Sequence, residues 1–490
     1  VLAIAVGSAG GGADGGAAEA GDNTTTVGRL LATACSAEAG VRDEAVALIS
    51  DLEHRGAAGV VRTLTRPLRR PERVLLVGVG AGDEAGWRAA GAAVVRAARR
   101  EPSLTMGLPA DVEPDAVRGL AEGALLASYR FRLGADPADK ASKLRTLTLI
   151  VDEPVAVKPA VDSARAVAEA TFLARDLTNT PSDTKSPAWF AQRIERAAAA
   201  HPGLNLRVRD PRQLVAEGFG GILAVGSGST RPPRLVELSW RPRDASHHVV
   251  LVGKGITFDT GGICVKSREG MKLMRKDMAG AAAVTAATIG AAALRLRVRI
   301  TALAPLAENM LGADAYRPGD VVRHYGGTTS EILNTDAEGR VVLADALAYA
   351  VHRLHPDLLV DLATLTGAAG VALGKRTAAL FTESESLAET LDSAATAAGE
   401  TLWRMPLPDD YVNAVHGEIS DVVNSTDIGA GSVTAALYLR EFVGAARDRW
   451  AHVDMSAPAW SDSADGENAK GATGWGVRTL LRWLETLAAD

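Results

Sequence analysis

Two carboxylates and an arginine stand at alternate positions in the run N-T-D-A-E-G-R, residues 334–340. If that run is extended, Asp336, Glu338 and Arg340 point to one side of the chain. Gly339, between the last two, permits a tight turn or a close approach of backbone to a ligand. A helix is expected to begin at once, because Val342, Leu343, Ala346, Leu347, Ala350 and Val351 recur at roughly helical spacing. Solvated acidic loops are common, so this run alone does not make a site. A second cluster lies upstream, where an apolar strand, residues 248–253, leads to Lys254, Asp259, Lys266 and Asp277. Glycines at 253, 255, 261, 262 and 270 place these polar groups on tight loops rather than helix surfaces. Singly, such lysines and acids would be exposed ion pairs that contribute little. Together, three aspartates, one glutamate, two lysines and an arginine suit a polynuclear metal site, in which a bridging carboxylate can hold two cations about 3.5–4 Å apart. Oxygen ligands without Cys or His fit Mn²⁺ or Mg²⁺ and also accept Zn²⁺.

The same residues carry a family resemblance. K-G-I-T-F-D-T-G-G-I-C-V-K (254–266), M-R-K-D-M-A-G (274–280) and N-T-D-A-E-G-R resemble, in sequence and spacing, the leucyl aminopeptidase (cytosol aminopeptidase) family. Shorter matches extend it from about Ala174 onward: A-R-D-L-T-N-T-P (174–181), A-T-L-T-G (363–367), W-A-H-V-D (450–454) and K-G-A-T-G (470–474). The N-terminal third resembles the family only in size and pattern.

The resemblance implies a two-metal exopeptidase that hydrolyses N-terminal residues, leucine and similar ones preferred, from peptides. One metal would be bound by Asp259, Asp336 and Glu338, the other by Lys254, Asp259, Asp277 and Glu338. As a ligand Lys254 must give up its proton, against an ordinary pKa of about 10.4, and both burial and nearby dications favour that loss. The metals, Mn²⁺ or Zn²⁺, would activate a water and polarise the scissile carbonyl. Lys266 would add positive charge where the oxyanion develops, and Arg340 would hold a bicarbonate that relays the water's proton. Met274, Thr364 and Gly367 match positions lining the pocket for the first side chain, although Met274 also suits plain core. Ser456 departs from the small apolar residue usual there and puts a strict leucine preference in question. Residues 461–470 are longer and more polar than the family's turn. A homohexamer is implied as well. Two other readings use the same letters: a two-metal phosphoesterase, with the lysines and arginine on phosphate, and a binding module joined to an inert C-terminal domain.

The elements that must position these residues alternate between strand and helix. Strands are expected at 235–240, 248–253, 298–303, 358–362 and 451–455, which predicts an α/β fold with a mixed, mostly parallel sheet flanked by helices. Ligand sites in such sheets gather at the carboxyl ends of strands, where Lys254 and Thr364 fall. Further strands at 1–6, 73–79 and 144–151 give a smaller N-terminal α/β domain, residues 1–155. Pro154 and Pro159 mark a linker, a helix bridges 156–180, and the larger catalytic domain occupies 181–490. The run G-V-G-A-G-D (78–83) resembles a dinucleotide fingerprint, but its third glycine comes one position early, so a packing turn is preferred.

At 490 residues the chain exceeds what one core supports. Apolar content of 47% and charged content of 23% are ordinary for a globular protein, and a net charge of −6 predicts no bulk attraction to nucleic acid or membrane. The uncharged run 278–294 is built of Ala, Gly and Thr and reads as a buried helix, not a membrane span. Cys35 and Cys264 form no disulfide framework, so a reducing cytoplasm is the expected setting. Residues 1–6 are too short, and lack the basic region, for a secretion signal. The Gly/Ala-rich stretch 8–22 reads as a mobile loop.

Overall fold

The computed structural model describes residues 1–8, 29–30, 40–135 and 141–489. Cys35 and the expected loop, from residue 9 on, lie outside them. The described residues form two compact units, Val1–Ala168 with Ser463–Ala469, and Glu169–Asp462 with Lys470–Asp490. The division falls inside one continuous helix, Pro154–Asn179, which contains Pro159. The sequence reading put a linker at these two prolines. Pro154 instead opens the helix, where its missing N–H costs nothing, and Pro159 follows soon enough to break only one early bond. No helix among the described residues is long and apolar enough to cross a membrane.

The first unit is built on a sheet of β1 (Leu2–Gly7), β2 (Arg29–Leu30), β3 (Val61–Thr65), β4 (Arg73–Gly80), β5 (Ser103–Gly107) and β6 (Thr146–Ile150). Its order is β3-β4-β1-β5-β6, parallel from β4 to β6, with β2 antiparallel on β1 and β3 antiparallel on β4. Within G-V-G-A-G-D, a Cβ on Gly78 would stand 2.0 Å from the Ala57 carbonyl oxygen, and Asp83 caps the following helix by accepting from Gly86 N–H at 2.8 Å. Gly78 thus serves close chain packing and Asp83 serves helix capping.

The second unit holds β7 (Leu204–Arg209), β8 (Arg234–Trp240), β9 (His248–Gly253), β10 (Gly255–Asp259), β11 (Arg299–Asn309), β12 (Val321–Arg323), β13 (Thr329–Glu331), β14 (Leu358–Ala363), β15 (Thr377–Phe381), β16 (Thr401–Arg404), β17 (Val422–Val423) and β18 (Trp450–Asp454). Nine of them make a mixed sheet in the order β16-β15-β18-β14-β9-β11-β8-β7, with β10 paired to β11; β12, β13 and β17 make a small separate sheet. The centre, β18-β14-β9-β11, is parallel, so the carboxyl ends of these strands lie along one edge. Val250 and Val252 of β9 join a core with Val341, Val342, Leu343, Ala346 and Leu347 from the helix Glu338–Tyr349. The other face of β9 meets the helix Ala279–Ala293, since a Cβ on Gly253 would stand 2.4 Å from the Gly280 carbonyl oxygen. This explains the glycine and alanine of that helix: its backbone lies directly on the strand, with no room for larger side chains.

Candidate metal centre

The edge formed by the parallel strands carries the charged cluster. Lys254 follows β9 and is fixed through its backbone, donating to Leu362 O at 3.0 Å and accepting from Ala281 N–H at 2.9 Å. Its ammonium is buried and meets Asp277 at 2.8 Å, Glu338 Oε1 at 2.8 Å and the Thr364 carbonyl oxygen at 3.0 Å. Asp277 closes the short 3₁₀ turn Met274–Lys276, just before the helix Ala279–Ala293, and also accepts from Thr364 Oγ1 at 2.8 Å. Asp259 ends β10. Its Oδ1 accepts from Gly261 N–H and Asn309 Nδ2, both at 2.8 Å, which leaves Oδ2 facing Lys266 Nζ at 2.9 Å. Lys266 also pairs with Asp336.

One expectation about the acidic run is corrected. Residues 336–340 are not extended: Glu338 and Arg340 belong to the first turn of the helix Glu338–Tyr349, and Asp336 precedes it in a turn. Residues two apart on a helix do not share a face. Accordingly Glu338 turns to Lys254, while the buried Arg340 guanidinium donates to Asn424 O at 2.8 Å and leaves its Nε without a hydrogen bond. Gly339 also has a different use. A Cβ there would stand 2.4 Å from Lys254 Cε, so this glycine clears the path of the lysine rather than of a ligand.

Electrostatics set the character of the site. Burial pushes Asp259 up to about 6, with Glu338 adding to the shift and the two lysines opposing it. Burial likewise raises Glu338 to about 7, against the pull of Lys254, and raises Asp277. Burial alone would lower Lys254, but the carboxylates of Asp277, Glu338 and Asp259 outweigh it and hold the ammonium above its ordinary pKa. Lys266 behaves the same way between Asp259, Glu338 and Asp336. Four carboxylates thus face two ammonium groups. Asp259, Asp336 and Glu338 bring oxygens within 4.8 Å of one another. Asp277 Oδ2, Asp336 Oδ1 and Glu338 Oε1 are buried, and each has a lysine ammonium as its ion partner, Lys254 for the first and last and Lys266 for Asp336. Buried anions are costly unless cations offset them; with four carboxylates against two ammonium groups, this donor set fits divalent, oxygen-liganded metals.

Models of the cytosol aminopeptidase family match the chain twice, the catalytic domain over residues 172–481 and the N-terminal domain over residues 28–133. The chain belongs to the cytosol aminopeptidase family. It is therefore an aminopeptidase, a peptide hydrolase of a metal-dependent family. A relative from Micrococcus luteus, named "Probable cytosol aminopeptidase", is 44% identical over 434 residues, 84% of each chain. Among solved structures, the bottromycin maturation enzyme BotP in complex with Mn is 40% identical with a TM-score of 0.81, covering 92% of this chain and 97% of that one. A tomato leucine aminopeptidase variant is 32% identical with a TM-score of 0.80, covering 91% and 88%.

In this aminopeptidase one of the three pocket candidates, Thr364, is in contact with the cluster. Thr364 follows β14 and touches it through both its hydroxyl and its carbonyl. Gly367 opens the helix Gly367–Leu373, and Met274 opens the turn that ends at Asp277. Ser456 is not a free hydroxyl: it donates to Asp454 and accepts from Thr366 N–H at 3.0 Å. The sequence reading missed Asn309, at the end of β11, which donates to Asp259 and to Thr335 O at 3.0 Å and so ties both acidic motifs together. It also missed Thr335, whose hydroxyl donates to Gly261 O and accepts from Cys264 N–H.

Proposed function

We propose that this aminopeptidase removes N-terminal residues, leucine and similar ones preferred, from peptides with two divalent cations, Mn²⁺ or Zn²⁺, bound in the carboxylate cluster. The observation that carries the proposal is the convergence of Asp259, Asp336 and Glu338, whose oxygens lie within 4.8 Å of one another. Asp259, Asp336 and Glu338 would hold one cation, and Lys254, Asp259, Asp277 and Glu338 the other, with Asp259 and Glu338 shared. Such a pair supplies an activated water and a polarised carbonyl.

The chain's own groups do the rest. Lys266 lies at the rim of the cluster, its side chain still 17% exposed, where its ammonium can donate to a carbonyl oxygen as that oxygen gains charge. Arg340 keeps an unused Nε donor beside its anchored edge, which suits a planar anion, and we assign it the bicarbonate that takes the water's proton. Met274, Thr364 and Gly367 would line the pocket for the first side chain. With its hydroxyl spent on Asp454 and Thr366, Ser456 presents little polarity to that pocket, which favours an apolar residue there. The working form is a cytoplasmic homohexamer by analogy with the family, and light scattering measures its mass.

The test is hydrolysis of leucine anilide and a simple phosphate ester side by side. A chelator should abolish the first activity and Mn²⁺ or Zn²⁺ should restore it, with no phosphatase activity at any stage. Full peptidase activity in metal-free protein would end the two-metal reading.

A further inference from the structure

The motif A-R-D-L-T-N-T-P and the lysine four residues beyond it, Lys185, have no part in the chemistry above. Lys185 has no solvent exposure. Its Nζ donates to Leu177 O at 3.0 Å, Thr178 O at 3.1 Å and Arg275 O, with Met278 Sδ at 3.1 Å. An ammonium has three protons, and three carbonyl oxygens take them. Leu177 and Thr178 lie in the last turn of the helix Pro154–Asn179, whose carbonyls lack partners within the helix. Arg275 and Met278 lie on either side of Asp277. Burial, with the Arg275 guanidinium adding to it, draws the pKa of Lys185 well down, and the Asp277 carboxylate opposes that.

The helix end is itself braced. Arg175 Nε donates to Thr473 O at 2.8 Å, and Asn179 Oδ1 accepts from Ala472 N–H at 3.0 Å, so K-G-A-T-G packs against A-R-D-L-T-N-T-P. The turn that carries Asp277 has few bonds of its own: Asp277 N–H donates to Met274 O at 3.2 Å and Lys276 N–H to Leu273 O at 2.9 Å. On its far side, Lys276 Nζ donates to Ser456 O at 2.7 Å.

We propose that Lys185 is a positioning residue of the metal centre, clamping Arg275 and Met278 to the end of the helix Pro154–Asn179 and so fixing the Asp277 carboxylate between Lys254 and Thr364. The inference rests on the reading of Asp277 as a metal ligand. A ligand must stay within about 0.5 Å of its working position. Two residues flanking Asp277 are held by one buried ammonium, and that leaves the carboxylate little freedom. Removing an outer partner of this kind typically costs about 10–100-fold in metal affinity.

The experiment is calorimetric titration of metal-free protein with Mn²⁺, with metals per chain counted by elemental analysis. Lys185→Met fills the space without donors, and Lys185→Gln keeps two donors on a shorter chain. Arg209→Met is the control, because Arg209 is an equally buried cation, paired with Glu217 and Glu237 near Tyr349, at the other end of the helix that Glu338 begins. The wild type should bind two cations and Asp277→Asn should lose one. Lys185→Met should weaken one site at least tenfold and leave the other unchanged, with Lys185→Gln in between. Arg209→Met should melt at lower temperature yet bind both cations as the wild type does. Wild-type affinity at both sites of Lys185→Met overturns the inference; if that variant does not fold, the same result in Lys185→Gln overturns it. A wild type with fewer than two cations, or an Asp277→Asn variant that keeps both, overturns the ligand reading and the inference with it.

Discussion

Lys254 and Gly339 are unequal partners, a charged chain and a hydrogen, yet each makes sense only through the other. The lysine crosses the first turn of the helix Glu338–Tyr349 because residue 339 has no Cβ to stop it. Without metal the ammonium is the counter-charge for Asp277 and Glu338; as a ligand it must offer a lone pair, which a guanidinium cannot do. Lys254→Arg therefore retains the charge and loses the donor. Metal analysis should find one cation missing and leucine-anilide hydrolysis should collapse; two tightly held cations with near-normal turnover would make Lys254 structural. For Gly339→Ala two effects compete. Alanine is better in a helix interior by up to about 1 kcal/mol, but its Cβ would fall 2.4 Å from Lys254 Cε and 2.7 Å from Nζ. The obstructing atoms are the end of a side chain, so the chain can yield and the fold survives. Denaturation should show stability within about 1 kcal/mol of wild type, while Mn²⁺ affinity falls at least tenfold. Unchanged affinity would mean that Lys254 need not lie where it does.

At the scale of elements, β9 carries both the site and a titratable group remote from it. His248 begins the strand, buried, with Nε2 at 3.0 Å from Thr301 Oγ1. Burial, with the Arg299 and Arg241 guanidiniums, lowers its pKa from 6.5 to about 4, against the pull of Asp357. Above pH 6.5 the imidazole is neutral whether the chain is folded or not. As pH falls toward 4, the unfolded chain takes up a proton that the folded chain refuses, so stability is lost across that window. His248→Gln keeps a polar side chain and removes the titration. Urea melts at pH 7 and pH 5 should show the wild type losing about 1 kcal/mol more than the variant, after allowance for solvent screening. Equal losses would refute the assignment. The elements themselves were unevenly legible. The strands 248–253 and 358–362 declared themselves because they are buried on both faces and read as apolar runs. β10 did not, since Gly255–Asp259 is short and mixed and exists by pairing with β11. The charged residues of the site were legible because acids and lysines among glycines have few other reasons to cluster. Their faces were not, because the period of 336–340 depends on where the helix begins. Asn309, Thr335 and Lys185 act by hydrogen bonds between distant segments, and no local pattern announces those.

Across the whole molecule, charge and topology converge on one edge of one sheet. The second unit gathers Lys254, Asp259, Asn309, Thr364 and Asp454 at the carboxyl ends of β9, β10, β11, β14 and β18, while the turn Met274–Lys276 delivers Asp277 and the turn into the helix Glu338–Tyr349 delivers Asp336 and Glu338. A cation bound there is linked at once to several strand ends, the turn before Asp277 and the loop after β14. Binding stabilises the folded form by about 1.4 kcal/mol for each tenfold excess of free cation over its dissociation constant. That stabilisation should be confined to segments whose opening would release the cation. Hydrogen exchange on metal-free protein, with and without Mn²⁺, should therefore show added protection at residues 253–266, 273–281, 335–342 and 362–367. The strands β1 and β3 to β6, in the other unit, should exchange at unchanged rates. Protection that rose equally in both units would mean that the cation acts through the molecule at large. Protection that rose only outside the four segments would remove the carboxylate cluster as the metal site, whatever the enzyme's dependence on metal.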